Sequence, residues 1–180
     1  MTNSKRLKTN MTANGPWEPA NLEDFVQYEG VRFSVNWRPG NGFDRQRAPR
    51  GSGLYSQIYW PDRAVRIGQS SNIYSRVREA MAWAKKMQEG TARESQLRRT
   101  SPICERVKAT GNAGFEFYTI SADPRLNDRE LRMECEAFLF GWFEATKETG
   151  HWESWNLERI RSDLKPIYED AFRSYQNGAP

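Results

Sequence analysis

Apolar and polar residues alternate through Val31-Arg32-Phe33-Ser34-Val35-Asn36-Trp37, and the β-branched and aromatic types there predict a strand. Just before it, Asn21 reads as the cap of a short helix beginning Leu22-Glu23-Asp24-Phe25. In GLYSQIYW, residues 53–60, Leu54, Ile58 and Trp60 share one face at period two, and Tyr55, Gln57 and Tyr59 share the other. Pro61-Asp62-Arg63 then predicts a turn. A hairpin with Trp60 opposite Val65 would set Ile58 against Ile67 on the apolar face and Tyr59 against Arg66 on the polar one. Tyr55, Tyr59 and Arg66 would then look out from one side of the sheet. FEFYTIS, residues 115–121, supplies a third strand.

The period lengthens after Gly68-Gln69-Ser70-Ser71-Asn72, which ends the second strand of the hairpin and caps a helix from about Ile73. Ile73, Val77, Ala80, Ala84 and Met87 form its apolar stripe; Arg76 lies about 70–80° from the stripe's centre and Arg78 projects from the other edge. Further helix is expected within 90–110, a long helix from Asn127 to about Lys147, and a last one from Leu157 to about Tyr175. On the long helix Leu131, Cys135, Phe138, Leu139 and Trp142 make the stripe. Glu134 borders it at about 80°, whereas Glu136 sits about 120° away, so Glu134 is the better candidate for a partly buried carboxylate. Such a group needs a cation or a metal beside it; a structural salt bridge is the alternative reading.

These elements give an α+β fold: a small three-stranded, mainly antiparallel sheet flanked by helices, with an N-terminal extension and a C-terminal helix. Residues 1–20 are polar and aperiodic and are expected to be a flexible lead-in. Residues 21–52 form the extension and an Arg-rich loop, 53–156 the core, and 157–180 the last helix and tail. A chain of 180 residues with 37% hydrophobic content suits one domain with a sizeable core. Without a membrane-length apolar run or the apolar stretch of a signal peptide, a soluble, intracellular (cytoplasmic) protein is expected, with no membrane partner. Cys104, Cys135 and the lone His151 match no zinc spacing, and the two thiols read as reduced and semi-buried.

Charge divides the chain. From Lys85 to Lys108, seven basic residues stand against three acidic ones; from Asp128 to Asp170, eleven acidic residues stand against six basic. The first region suits a phosphate-rich partner and the second does not, although a solvated helix face explains the first equally well. Arg45, Arg47, Arg50, Lys85, Lys86, Arg93, Arg98 and Arg99 are the candidate DNA-contacting residues, since arginine both grips phosphate and reads guanine edges.

The motifs in order resemble the GIY-YIG nucleases. Gly53-Leu54-Tyr55 resembles that family's first strand motif and Arg66-Ile67-Gly68 its second, with Arg66 in the place of a tyrosine. Gln69 to Arg76 resembles the connector and the catalytic arginine, Glu134 the metal-binding glutamate, and Asn156 the closing asparagine. The resemblance covers residues 53–156. Ala80 departs from it, standing where the family often has His or Tyr; Tyr59 or Tyr74 would supply a nearby phenol instead.

The resemblance implies hydrolysis of a DNA phosphodiester with one divalent cation, Mg²⁺ or in its place Mn²⁺, held by Glu134. Arg76 would stabilise phosphate charge, and Tyr55 would position or deprotonate the attacking water. A phenol has an ordinary pKa of about 10, and Arg66 nearby would favour its ionised form. The setting implied is a restriction-type endonuclease, or a phage or mobile-element nuclease. A homodimer would let one active site per chain cut both strands of a symmetric site. A catalytically decayed DNA-binding module with this fold, and a protein-interaction domain that retains it, are the competing classes.

Overall fold

The computed structural model describes residues 25–43, 46–93, 101–156 and 160–176. Strands β3 (Gly53–Tyr59) and β4 (Ala64–Ser70) form the expected hairpin, in a register two residues from the expected one. Ile58 opposes Val65, Gln57 opposes Arg66 and Tyr55 opposes Gly68. The cause lies in the turn: Trp60–Asp62 coil into a 3₁₀ turn with Pro61 in its first positions, and Arg63 closes it at φ +49°, so Trp60 leaves the strand. A two-residue slip keeps every side chain on its face, so Tyr55, Tyr59 and Arg66 still share one side. That side is covered, however: all seven residues of β3 are buried.

The sheet is four-stranded and mixed, in the order β5-β3-β4-β6, where three antiparallel strands were expected. β5 (Phe115–Ser121) is the expected third strand, antiparallel to β3. The addition is β6 (Glu153–Ser154), parallel to Ala64 and Val65 and too short for its alternation to show in the sequence. A separate hairpin pairs β1 (Phe25–Tyr28) with β2 (Val31–Ser34). Phe25 onward is thus strand, not the helix expected from Leu22; Leu22–Asp24 lie outside the described residues. Glu29 and Gly30 both adopt positive φ (46° and 76°), the geometry of a two-residue hairpin turn whose twist matches its strands.

Helix α1 (Ile73–Gln88) starts where Asn72 accepts a hydrogen bond from the Ser75 amide at 2.9 Å. Of the region expected to hold further helix, α2 (Ser101–Thr110) is helical, while 94–100 lie outside the described residues. The long helix α3 (Arg129–Thr146) is capped by Asp128, one residue after the expected start, through the amides of Glu130 and Leu131. The last helix, α4 (Lys165–Gln176), begins later than expected, after a 3₁₀ turn at Ser162–Leu164. Pro166 explains the late start: lacking an N–H, it fits a helix's first turn and not its interior.

The sheet separates two layers. Leu54, Ile58, Val65, Ile67 and Tyr118 meet α3 on one face, where the β1–β2 hairpin adds Val31 and Phe33 and α4 adds Ala171 and Tyr175. On the other face Tyr55 and Phe117 meet Ile73 and Val77 of α1, and Tyr59, Ala64 and Phe115 meet Ala84, Met87 and the α2 residues Ile103 and Val107. Residues before Gly53 and after Asn156 therefore help to build the main core. Cys104 and Cys135 are buried and not joined, and burial, then the Glu134 charge, pushes the Cys135 thiol up to about 12.

Candidate active site

Two glycines permit close packing around the start of β3 and the end of β4. A methyl group on Gly68 would lie 2.8 Å from the Tyr55 hydroxyl, and one on Gly53 would strike the Ser121 carbonyl and the Ile73 side chain. The glycine of the second motif thus lets the phenol lie flat over β4. Arg76 donates its Nε–H to the Tyr55 oxygen at 3.0 Å. Tyr55 is 3% exposed whereas the Arg76 side chain is 43% exposed, so the pair joins the buried sheet to solvent. Glu79 lies 3.6 Å from Arg76 Nη1.

Arg66 stands on the same face. It opposes Gln57, the next residue outward on Tyr55's side of β3, and so is a diagonal neighbour of Tyr55, about 7–8 Å away and within reach of a long side chain. Asn156 holds the outer edge of β4: its Oδ1 accepts the Ile67 amide at 2.8 Å and its Nδ2 donates to Ser154 Oγ at 3.3 Å. The structure thus brings Tyr55, Arg66, Arg76 and Asn156 together around Arg66-Ile67-Gly68.

Glu134 turns elsewhere. Its carboxylate accepts the Tyr28 hydroxyl at 3.4 Å from the β1–β2 hairpin; burial, then the Glu134 charge, pushes the Tyr28 phenol well above its ordinary value. The stripe argument that favoured Glu134 presumed one covered face, but Ala137 to Phe143 are all buried because sheet, hairpin and α4 surround α3. Glu136 lies about 200° around the helix from Glu134, on the strip running from Arg132 to Phe140. Arg132, 6% exposed, donates to Gln69 Oε1 on β4 at 2.7 Å and to the Leu126 carbonyl at 2.6 Å. Phe140 lines a cavity with Asn156. The half-buried Glu136 lies between Arg132 and Phe140 on this strip, which continues to Glu144 at the same cavity. Sequence reasoning ranked Glu136 below Glu134 and did not single out Arg132, although their spacing of four residues was visible.

Among the described residues no group of three or more His, Cys, Asp or Glu gathers to hold a metal. A single carboxylate with substrate phosphate and water is a mode that Mg²⁺ accepts, so the oxygen donors here fit that ion.

The supporting tyrosines separate. Tyr59 is four residues along β3 from Tyr55, about 13 Å away, and packs against Phe115 and Trp155 in another cluster. Tyr74 and Ala80 pack in the Tyr55 cluster, and the Arg50 guanidinium lies 4.4 Å from the Tyr74 ring centre. The Arg-rich loop is tied down beside it, with Tyr74 N bonded to the Pro49 carbonyl at 2.9 Å and Arg47 Nη2 to the Gly42 carbonyl at 3.4 Å. Lys85 pairs with Glu89 at 3.7 Å; Lys86 and Arg93 are exposed; Arg45, Arg98 and Arg99 lie outside the described residues. His151 is exposed in a turn at φ +53°.

No protein-family model, curated protein or solved structure matches the chain.

Proposed function

We propose that this protein is a metal-dependent endonuclease that hydrolyses DNA phosphodiesters in the manner of the GIY-YIG enzymes. One observation carries the reading: the Tyr55 phenol, laid over the bare backbone of Gly68, receives the Nε–H of the partly exposed Arg76. A buried phenol and a guanidinium that solvent can reach form a site for a phosphate with a proton acceptor beside it.

In the reaction water oxygen bonds to phosphorus, the bond from phosphorus to the leaving sugar oxygen breaks, and that oxygen takes up a proton. Tyr55 orients the water and takes up its proton while its own hydroxyl proton is released to solvent, from which the leaving sugar oxygen draws the proton it needs. The Arg76 Nε–H compensates charge that develops on the phenol oxygen, while its remaining guanidinium N–H groups serve the phosphate. Arg66 adds a second fixed cation on the same face. Glu136 takes the carboxylate role that the resemblance gave to Glu134, and the Mg²⁺ it would hold would supply charge compensation at the leaving oxygen. A restriction-type setting and a homodimer that cuts both strands extend this reading.

The test is incubation of supercoiled plasmid and mixed-sequence linear DNA with Mg²⁺, Mn²⁺ or EDTA. Metal-dependent nicking or discrete fragments are expected, reduced at least about 100-fold by Arg76→Ala and by Glu136→Gln and retained by Glu134→Gln. Cleavage lost in Glu134→Gln and kept in Glu136→Gln would return the role to Glu134; full turnover by Arg76→Ala would overturn the mechanism. A non-catalytic DNA-binding module is the second reading, favoured by Ala80, which brings no proton-handling group to the Tyr55 cluster. Salt-sensitive binding without cutting would select it.

A further inference from the structure

A cavity of about 660 Å³ opens between α3, α4 and the chain that follows β6. Its size falls in the range of small-molecule sites. Phe140 and Tyr168 bring aromatic rings to it from two different helices, and Glu144, Glu169, Lys165 and Asn156 bring polar groups. Tyr168 is backed by Phe172, with the two rings 12° from parallel and their centres 6.3 Å apart. Gly141 permits this construction: a side chain there would strike the Tyr168 carbonyl, so α3 and α4 touch backbone to backbone beside the cavity.

Charge narrows the ligand. Lys147 pairs with Glu144 at 2.6 Å, which leaves Glu169 beside Lys165, so the lining carries no net positive charge and does not favour a phosphate. A planar neutral ring bearing an amino group suits it better: aromatic side chains stack on it, and a carboxylate accepts from the amino group. Position narrows the ligand further. Asn156 belongs both to the cavity lining and, through the Ile67 amide, to the edge of β4. Two strand spacings separate it from β3, so Asn156 lies about 10 Å from the Tyr55 backbone, one or two nucleotides along a strand.

We infer that this cavity receives one unstacked nucleobase with an exocyclic amino group, cytosine or adenine, from the DNA strand whose backbone passes Tyr55 and Arg76. The inference rests on the nuclease reading and adds to it a source of sequence preference. Phosphates stay on the basic side of β4 while the base crosses the strand edge into an aromatic-walled space without net positive charge, the arrangement by which enzymes read a base taken out of its stack.

The test uses the full chain in EDTA and a DNA duplex that it cuts when Mg²⁺ is present. 5-Iodocytosine replaces the base at successive positions around the cut, and the irradiated complex is mapped by mass spectrometry. Crosslinking at one position to Tyr168 or Phe140 is expected. Ser162→Trp, which fills the cavity from an exposed position, should reduce it at least tenfold with DNA binding retained. DNA that is cut in Mg²⁺ and bound in EDTA, yet crosslinks only outside the cavity, would overturn the inference and leave the nuclease reading standing. DNA neither bound nor cut would remove both.

Discussion

Gly68 decides more about the candidate site than its size suggests. A methyl group there meets the Tyr55 hydroxyl at 2.8 Å, too close for a real contact, so Gly68→Ala must displace the phenol from its present position against Arg76. A displacement of about 1 Å at a reacting group costs about 100-fold in rate, whereas overpacking costs about 1–3 kcal/mol in stability. Cleavage by Gly68→Ala is therefore expected to fall about 100-fold in a protein that still melts cooperatively, with Gly51→Ala, where nothing lies within 4 Å, as the unaffected control. Equal activity in the two variants would detach Tyr55 from the chemistry. Arg132 poses a different question, since a buried guanidinium is costly unless bonded. Arg132→Met removes its bonds to Gln69 and the Leu126 carbonyl and is expected to lower stability by about 2–4 kcal/mol in denaturant titration. A change below about 0.5 kcal/mol would mean that those partners find water instead.

The segment that leads into the Arg-rich loop is fastened by one side chain of β5. Glu116 accepts from the Gly40 amide at 2.9 Å, from Trp60 Nε1 at 3.0 Å and from the Tyr118 hydroxyl, and Phe43 pairs with Phe117 next to it. Burial pulls the Glu116 carboxyl upward, but the hydrogen bonds from Tyr118, Gly40, Trp60 and Gly42 outweigh it and leave the carboxyl below its ordinary 4.5. A lowered folded value means that the stabilisation is fully present above about pH 4.5 and is lost as pH falls through the folded value. Glu116→Gln is expected to cost about 1 kcal/mol at neutral pH, or about 2–4 °C in Tm, and the gap should close toward pH 3. A gap that does not vary with pH would remove the charge from the explanation. Nothing in the alternation of FEFYTIS marks Glu116 as an anchor, because a period-two pattern shows which way a residue points and not what folds back onto it. The same limit explains the other differences. Leu54, Ile58 and Ile67 were legible as a buried face, and the hairpin's two faces survived a wrong register because the slip was an even number. The two residues of β6 carry no period at all. Glu136 ranked below Glu134 because a stripe assigned from one sequence presumes solvent behind the helix, whereas Ala137 to Phe143 are all buried.

Across the whole molecule the sheet divides charge as well as packing. Helices α1 and α2, on the Tyr55 face, carry six basic residues against two acidic ones; α3 and α4, on the other face, carry four basic against six acidic. Arg47 and Arg50 add to the basic layer through the contact of Arg50 with Tyr74 on α1. Such a division orients an approaching polyanion before any specific contact forms, so under the proposed nuclease function a DNA backbone would meet the face on which Arg76 emerges. The contribution is measurable through counterion release, because each phosphate neutralised on duplex DNA adds about 0.9 to the slope of log affinity against log salt. Replacing Arg47, Arg50, Lys85 and Lys86 together by alanine is expected to lower that slope by about 3–4, measured by fluorescence anisotropy in EDTA so that binding is read without cutting. Arg173→Ala, on α4 and paired with Asp170 at 2.6 Å, should leave the slope unchanged. An equal effect of Arg173→Ala would indicate a diffuse electrostatic attraction with no preferred face. An unchanged slope in the fourfold variant would place the DNA elsewhere on the molecule and separate the Tyr55–Arg76 pair from any polyanion the protein binds.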